Sequence, residues 1–210
     1  MTMATEYTTD SHLSMANAFL KRTFDLLCSF IGLALSGWLI LLAWLLASIE
    51  TKSNGFFIQK RVGRYGKLFH VIKIRTMYKS DEAAPTVTTK EDKRISFTGR
   101  FFRKTKIDEL PQLLNVLVGQ MSFVGPRPDV PGFADTLEGK DRQILSLRPG
   151  ITGPASIKYH NEEVLLADHE NPEQYNRDVI FPDKVKINLV YIENYSFWND
   201  IHYIWKTFFH

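Results

Sequence analysis

From Leu26 to Ile49 the chain runs twenty-four residues without a charge, LLCSFIGLALSGWLILLAWLLASI, between Asp25 and Glu50. At about 1.5 Å per residue a straight helix of that length reaches roughly 36 Å, enough to cross a hydrocarbon core of about 30 Å with some tilt. The block is too long and too far from the N-terminus for a secretory signal, and no small-residue cleavage site follows it. It reads as a membrane segment, the alternative being a buried central helix. Lys21 and Arg22 precede it; Lys52, Lys60, Arg61 and Arg64 follow it. Positive charge marks the cytoplasmic side, and here it marks both flanks. Ser36-Gly37 tolerates a kink between arms of ten and twelve residues. Each arm is about 15–18 Å long as helix, or roughly one leaflet. The pattern therefore predicts a re-entrant helical hairpin that enters and leaves on one face.

Amphipathic periodicity continues outside the block. Phe19, Leu20, Thr23, Phe24 and Leu27 share a helical face that Lys21, Arg22 and Asp25 avoid. Phe197, Trp198, Ile201, Ile204, Trp205 and Phe208 follow the same period, with Asn199, Asp200, His202 and Lys206 opposite. Such an aromatic-rich helix suits a membrane interface, or else packs on the soluble body. Between these lie Phe56–Val62 and Lys67–Met77, two alternating runs joined by the turn GRYG, which predict a β-hairpin. Alternation sets Phe69, Val71, Lys73 and Arg75 against Leu68, His70, Ile72 and Ile74, and puts His70 in a core. Residues 79–94 are polar and unpatterned, a loop. Ile107, Leu110, Leu113, Leu114 and Leu117 mark a helix that Gly119 stops. The organisation expected is a flexible 1–15, a membrane unit over 16–50, and a cytoplasmic catalytic domain over 51–210.

Composition narrows the class. With 44% hydrophobic and 23% charged residues the chain is not disordered, and its single cysteine, Cys28, excludes an internal disulfide. The net charge of +3 hides a strong asymmetry. Residues 51–107 hold fifteen Lys/Arg against four Asp/Glu, whereas residues 108–210 hold nine against fifteen. A basic block beside an apolar one calls for an anionic partner: nucleic acid, a phosphorylated small molecule, or an anionic lipid surface. Asp108 and Glu109 open the helix that follows this block, after Arg100, Arg103, Lys104 and Lys106. One reading is structural, with Asp108 as a cap and Glu109 on the dipole. The other is chemical: a carboxylate among phosphate-attracting cations, acting as metal ligand or nucleophile. Arg127 lies between two prolines in VGPRPD, which stiffen its loop and suit a bidentate phosphate contact. The loop RPGITGP, Arg148 to Pro154, has the same stiff character.

Six motifs in order resemble the bacterial sugar transferase family, the small monotopic phosphoglycosyl transferases. They are Lys21-Arg22-x-Phe-Asp25, QKRVG (Gln59–Gly63), KIRTM (Lys73–Met77), Asp108-Glu109-Leu, QLLNVLVGQMSFVGPRP (Gln112–Pro128) and RPGITG (Arg148–Gly153). The similarity runs from about residue 16 to the end and is to the short members, without an added N-terminal membrane bundle.

The resemblance implies an α+β monotopic membrane protein: a re-entrant helical hairpin, interfacial amphipathic helices and a small α/β catalytic body containing a β-hairpin. It implies transfer of a phosphosugar from a UDP-sugar to polyprenyl phosphate, with release of UMP, at the cytoplasmic face of the bacterial inner membrane. Asp108 would be the nucleophile of a ping-pong reaction through an aspartyl phosphosugar, and would touch Mg²⁺. Glu109 would serve as base or positioning group. Arg103, Lys73, Arg75 and Arg127 would bind phosphate, with Gln59 and Arg61 also on the substrate side. Membrane lipids are expected partners and nucleic acid is not. Two departures stand out: the family usually breaks its membrane helix at Ser-Pro, here Ser36-Gly37, and often follows RPGITG with Trp-Ala-Gln, here Pro154-Ala155-Ser156. Competing classes are a membrane-anchored anion-binding protein and an inactive scaffold of a polysaccharide assembly complex.

Overall fold

The computed structural model describes residues 13–79 and 92–209. Most of the expected 79–94 loop and of the 1–15 segment lies outside them. The chain opens with α1 (Met15–Thr51), capped by the Ser14 hydroxyl, which accepts from the Asn17 amide at 3.2 Å. Residues facing inward along it are Lys21, Asp25, Ser29, Ile40, Ala43, Ala47 and Thr51, a stripe at helical spacing. Most of the apolar residues on the other sides of α1, among them Leu27, Phe30, Leu35, Trp38 and Leu41, are exposed.

α1 is one uninterrupted helix where a break was expected at Ser36-Gly37. Without proline every backbone N–H can stay in the ladder, and the Ser36 hydroxyl donates back to the Gly32 carbonyl at 2.7 Å, a contact that bends helices without ending them. Both ends of α1 are tied to the same body. Lys21 donates to Asp200 (2.6 Å) and to the Val124 carbonyl (2.8 Å). Near the other end, Glu50 accepts from the Phe97 and Thr98 amides.

Next comes the antiparallel hairpin of β1 (Phe56–Val62) and β2 (Leu68–Ile74), in register from Phe56↔Ile74 to Val62↔Leu68. Tyr65 and Gly66 turn it with positive φ of 59° and 76°. Phe69 and Val71 pack on Val116 and Met121, so the face shared with Lys73 points inward. His70 lies on the opposite face and is exposed rather than in a core, because that face is covered at Ile74 and Val62 but open at His70 and Leu68.

α2 (Phe97–Thr105) ends at Lys106, which is left-handed at φ 58°. A 3-10 turn, Ile107–Glu109, leads to α3 (Gln112–Leu117). The single helix expected here is thus two short pieces. Asn115 in α3 pairs with the β2 backbone, donating to the His70 carbonyl (2.7 Å) and accepting from the Ile72 amide (3.1 Å).

β3 (Ser122–Val124) and β4 (Gly150–Thr152) form a short parallel pair. Behind them pack α4 (Pro154–Lys158), α5 (Glu162–Ala167), α6 (Pro172–Tyr175), a π turn at Asn176–Ile180, α7 (Phe181–Glu193) and α8 (Phe197–Phe208). The main core joins Val62, Val124, Ile144, Leu147, Val185, Leu189 and Ile192. α8 has the expected bounds; Ile204 and Tyr203 pack on the core, as one reading expected, while Trp198, Trp205 and Phe208 are exposed. Asp200, expected on its polar side, is buried and accepts from Lys21, Tyr191 (2.6 Å) and Tyr195 (3.1 Å).

Candidate active site

A cleft of about 690 Å³ opens between α2, the 3-10 turn at Ile107–Glu109, the Arg127 loop and the faces of α4, α5 and α7. Of the predicted site residues, Asp108, Glu109, Arg103, Lys73 and Arg127 line it. Arg100, Lys104 and Lys106 join them, so five of the fifteen basic residues of the 51–107 block line the cleft that holds the dyad.

Asp108 is only 8% exposed, and neither it nor Glu109 caps a helix. Its Oδ1 is buried without a hydrogen-bond partner. Burial, reinforced by the Glu109 charge, pushes its carboxyl up to about 6 against the pull of Lys73, Lys106 and Arg103. The structural reading of Asp108 as a cap does not hold. What is left is a carboxylate kept out of water, with Lys73, Lys106 and Arg103 near enough to pull on its charge.

Glu109 is built differently. Its Oε1 accepts from Lys73 Nζ at 3.0 Å and from Arg127 at 2.7 Å. Burial would raise its carboxyl, but Arg127 and Lys73 outweigh it and hold the group well below the usual carboxylate range. Burial lowers Lys73, whereas Glu109 raises Arg127. Glu109 is thus a fixed anion that holds two cations in place.

Several backbone contacts fix Arg127. The Gly125 amide donates to the Thr152 carbonyl (3.0 Å), and the Gly150 amide to the Pro126 carbonyl (2.8 Å). On the other side the Val62 amide donates to the Asp129 carbonyl (2.9 Å). A Cβ on Gly150 would stand 2.2 Å from the Gly125 nitrogen, so only glycine allows this approach.

Three predicted residues lie away from the cleft lining. Arg61 donates to Gln59 Oε1 (3.1 Å from Nε) and to the Pro128 carbonyl (3.1 Å), so Gln59 and Arg61 buttress the Arg127 loop from behind. Burial, with the Arg127 charge, lowers Arg61 to about 10. Arg75 follows the last ladder residue of β2 and turns to the chain leaving α1, donating to the carbonyls of Asn54 (2.7 Å) and Phe56 (3.4 Å). Strand alternation assigned it to the Lys73 face, but alternation stops where the ladder ends.

Among the described residues no group of three or more His, Cys, Asp or Glu side chains could hold a metal by itself. Mg²⁺ is usually held by one or two carboxylates together with substrate phosphates. The orphaned Asp108 Oδ1 fits that pattern, while Glu109 Oε1 is already taken by Lys73 and Arg127.

Residues 16–210 match the bacterial sugar transferase family over nearly the whole chain. The chain belongs to that family. It is 34% identical, over 91% of its length, to the undecaprenyl-phosphate galactose phosphotransferase of Salmonella typhimurium, of which it covers 40%. It is 36% identical, over 89% of its length, to the undecaprenyl-phosphate glucose phosphotransferase of Komagataeibacter xylinus, covering 35%. A third relative, the UDP-glucose:undecaprenyl-phosphate glucose-1-phosphate transferase of Caulobacter vibrioides, is 32% identical over 89% of the chain and covered to 67%. The chain thus spans well under half the length of the first two.

In this chain the far wall of the cleft comes from residues that sequence reasoning missed. They include Ser156, Tyr159, Glu162, Lys184 and Asn188, together with Asp129, whose carboxyl burial pushes up to about 6 against Lys184 and Arg61. One signal was available. Phe181, Lys184, Val185 and Asn188 recur at helical spacing on α7, and a polar pair on so apolar a face asks for a reason.

Proposed function

We propose that this chain transfers a sugar phosphate from a UDP-sugar to a polyprenyl phosphate at the membrane surface. The observation that carries the proposal is the buried Asp108 carboxylate, no helix cap, with an orphaned oxygen in a cleft that Lys73, Arg100, Arg103, Lys104, Lys106 and Arg127 also line. In the first step an Asp108 oxygen forms a bond to the β-phosphorus while the bond from that phosphorus to the bridging oxygen breaks. UMP leaves with the bridging oxygen and its electron pair. In the second step a phosphate oxygen of the lipid attacks the same phosphorus, and Asp108 leaves with the electron pair of its bond. Donor and acceptor thus use one cleft in turn. Three anionic groups must approach one another, and Lys73, Arg103 and Arg127 offset their repulsion. Mg²⁺, when bound by Asp108 and the diphosphate, supplies further positive charge. Glu109 acts as a positioning residue, since its anion keeps Lys73 and Arg127 at their posts.

α2 supports a site at lipid height. Phe97 and Phe101 are exposed on one side, while Arg100, Arg103 and Lys104 line the cleft on another. We also infer that α1 enters and leaves the membrane from one side, bending about Ser36-Gly37. Both of its ends bond to the same body, which supports a one-sided arrangement.

The test is UMP release from UDP-sugars plus polyprenyl phosphate by membrane-solubilised protein. Asp108→Asn is expected to abolish it, and the wild type with donor alone to gain a phosphosugar mass on Asp108. Normal turnover by the variant would refute the assignment. For topology, cysteines at Ala16 and Ser53, with Cys28 replaced, should label from the same side in intact cells; labelling from opposite sides would refute the one-sided anchor.

A further inference from the structure

Four side-chain atoms that are buried without a hydrogen-bond partner belong to residues lining the one cleft: Arg103 NH1, Asp108 Oδ1, Ser156 Oγ and Asn188 Oδ1. Leaving such a group unpaired is costly, so native folds hold few of them and each asks for a cause. Arg103 and Asp108 have one in the phosphate chemistry above. Ser156 and Asn188 do not. They are uncharged, far from the dyad in sequence, and stand on α4 and α7, which pack on each other. Asn188 is only 5% exposed, on the face of α7 that the cleft shares with Lys184.

We propose that Ser156 and Asn188 form a neutral subsite that hydrogen-bonds hydroxyl groups of the transferred sugar, so that they help decide which UDP-sugar is used. The inference rests on the UDP-sugar reading of the cleft. An amide oxygen accepts and a hydroxyl both donates and accepts, which matches the edge of a sugar ring. A nucleobase would instead want a free aromatic face. The Tyr159 and Phe181 rings of the cleft already have neighbours in the protein. Tyr159 has the ammonium groups of Lys158 and Lys184 within 5.5 and 5.6 Å of its centroid, and Phe181 meets Phe133 edge-on at 5.2 Å. Lys184 is also held by Glu162 at 2.6 Å, whereas Ser156 Oγ and Asn188 Oδ1 are buried atoms of this wall that no protein group satisfies.

The experiment compares wild type, Asn188→Leu and Ser156→Ala in UMP release across UDP-sugars that differ in one hydroxyl or acetamido group. UDP affinity and Tm are measured in parallel. Each variant is expected to lose about tenfold in kcat/KM for the preferred donor, as for one hydrogen bond, and to discriminate less between epimers. UDP affinity should not change, and Tm should hold or rise, because an unpaired polar atom has been removed. Asn188→Asp, which keeps an acceptor oxygen, should retain more of the preference than Asn188→Leu. An unchanged donor preference in both variants would overturn the subsite. So would an equal loss of UDP affinity, which would place the nucleoside there, or a lowered Tm with preference intact, which would make the pair structural. A wild type that turns over UDP-sugars while the variants keep its preference removes this inference alone. A wild type that neither turns over nor binds any UDP-sugar removes the proposed function with it.

Discussion

Because burial and the Glu109 charge raise the Asp108 carboxyl to about 6, the proposed nucleophile is a neutral acid below that pH and a carboxylate above it. The chemical step, followed as kcat/KM for UMP release, should therefore rise with pH and level off above about 7. A flat profile between pH 5 and 8 would contradict the assignment. The same shift has the opposite sign for stability. A carboxyl whose folded pKa is raised stabilises the fold fully below its unfolded value, and that contribution is lost as pH rises through about 6. Asp108→Asn should accordingly be more stable than wild type at pH 8 by on the order of 2 kcal/mol, with the gap closing near pH 4. Denaturation of both proteins at the two pH values decides it. Glu109→Gln should go the other way, since Lys73 and Arg127 would face each other without an anion. A loss on the order of 2 kcal/mol is expected, together with a fall in activity. Sequence spacing made Asp108 and Glu109 visible as a pair but could not tell them apart. Only the packing shows that one has an unpaired oxygen and the other holds two cations.

At the scale of elements, those set by a clear period were legible. β1 and α8 have the bounds that their hydrophobic patterns predict. The stretch from Ile107 to Leu117 has a helical period too, yet Lys106 is left-handed and Pro111 has no N–H, so the hydrogen-bond ladder divides it. β3 and β4 are three residues each, too short for alternation to show, and they owe their pairing to close backbone contact at Gly125 and Gly150. Gly150→Ala should then part the two strands and cost about 1–3 kcal/mol, seen as a lower Tm, with loss of activity through the Arg127 loop. The charged residues of α1 were legible as polar but not as inward-facing. Lys21 and Asp200 form a buried pair with side chains 9% and 3% exposed. Asp200→Ala would leave Lys21 with the Val124 carbonyl but without this counter-ion, at a cost of about 3–5 kcal/mol, and loosen α1 from α8. Retention of wild-type Tm by that variant would show that the pair does not hold them together.

For the whole molecule, the two charge blocks of the chain meet in space: Lys73, Arg100, Arg103, Lys104 and Lys106 of the 51–107 block line the cleft with Asp108, Glu109, Asp129, Glu162 and Glu163 of the later one. That part of the site could be read in advance. The far wall could not, because its polar residues are scattered over α4, α5 and α7 and meet only in the folded chain. Membrane attachment was also legible, though not its manner: exposed apolar residues occur on α1, α2 and α8 together. Replacing both Phe97 and Phe101 by Glu should weaken sedimentation with anionic vesicles while leaving α1 intact. Unchanged partitioning would exclude α2 from the lipid contact.

The inward stripe of α1 gives the anchor a rotational phase. A simple membrane tether tolerates an extra residue, since any apolar surface will meet lipid. Here one alanine inserted between Ser29 and Ile40 would turn the second half of the helix by about 100°, swinging Ala43 and Ala47 outward and driving bulkier side chains against Ile74 and Phe102. Insertions of three or four residues, which nearly complete a turn, should be borne far better than insertions of one or two. The anchor is thus a geared part, and its length can change only by whole teeth.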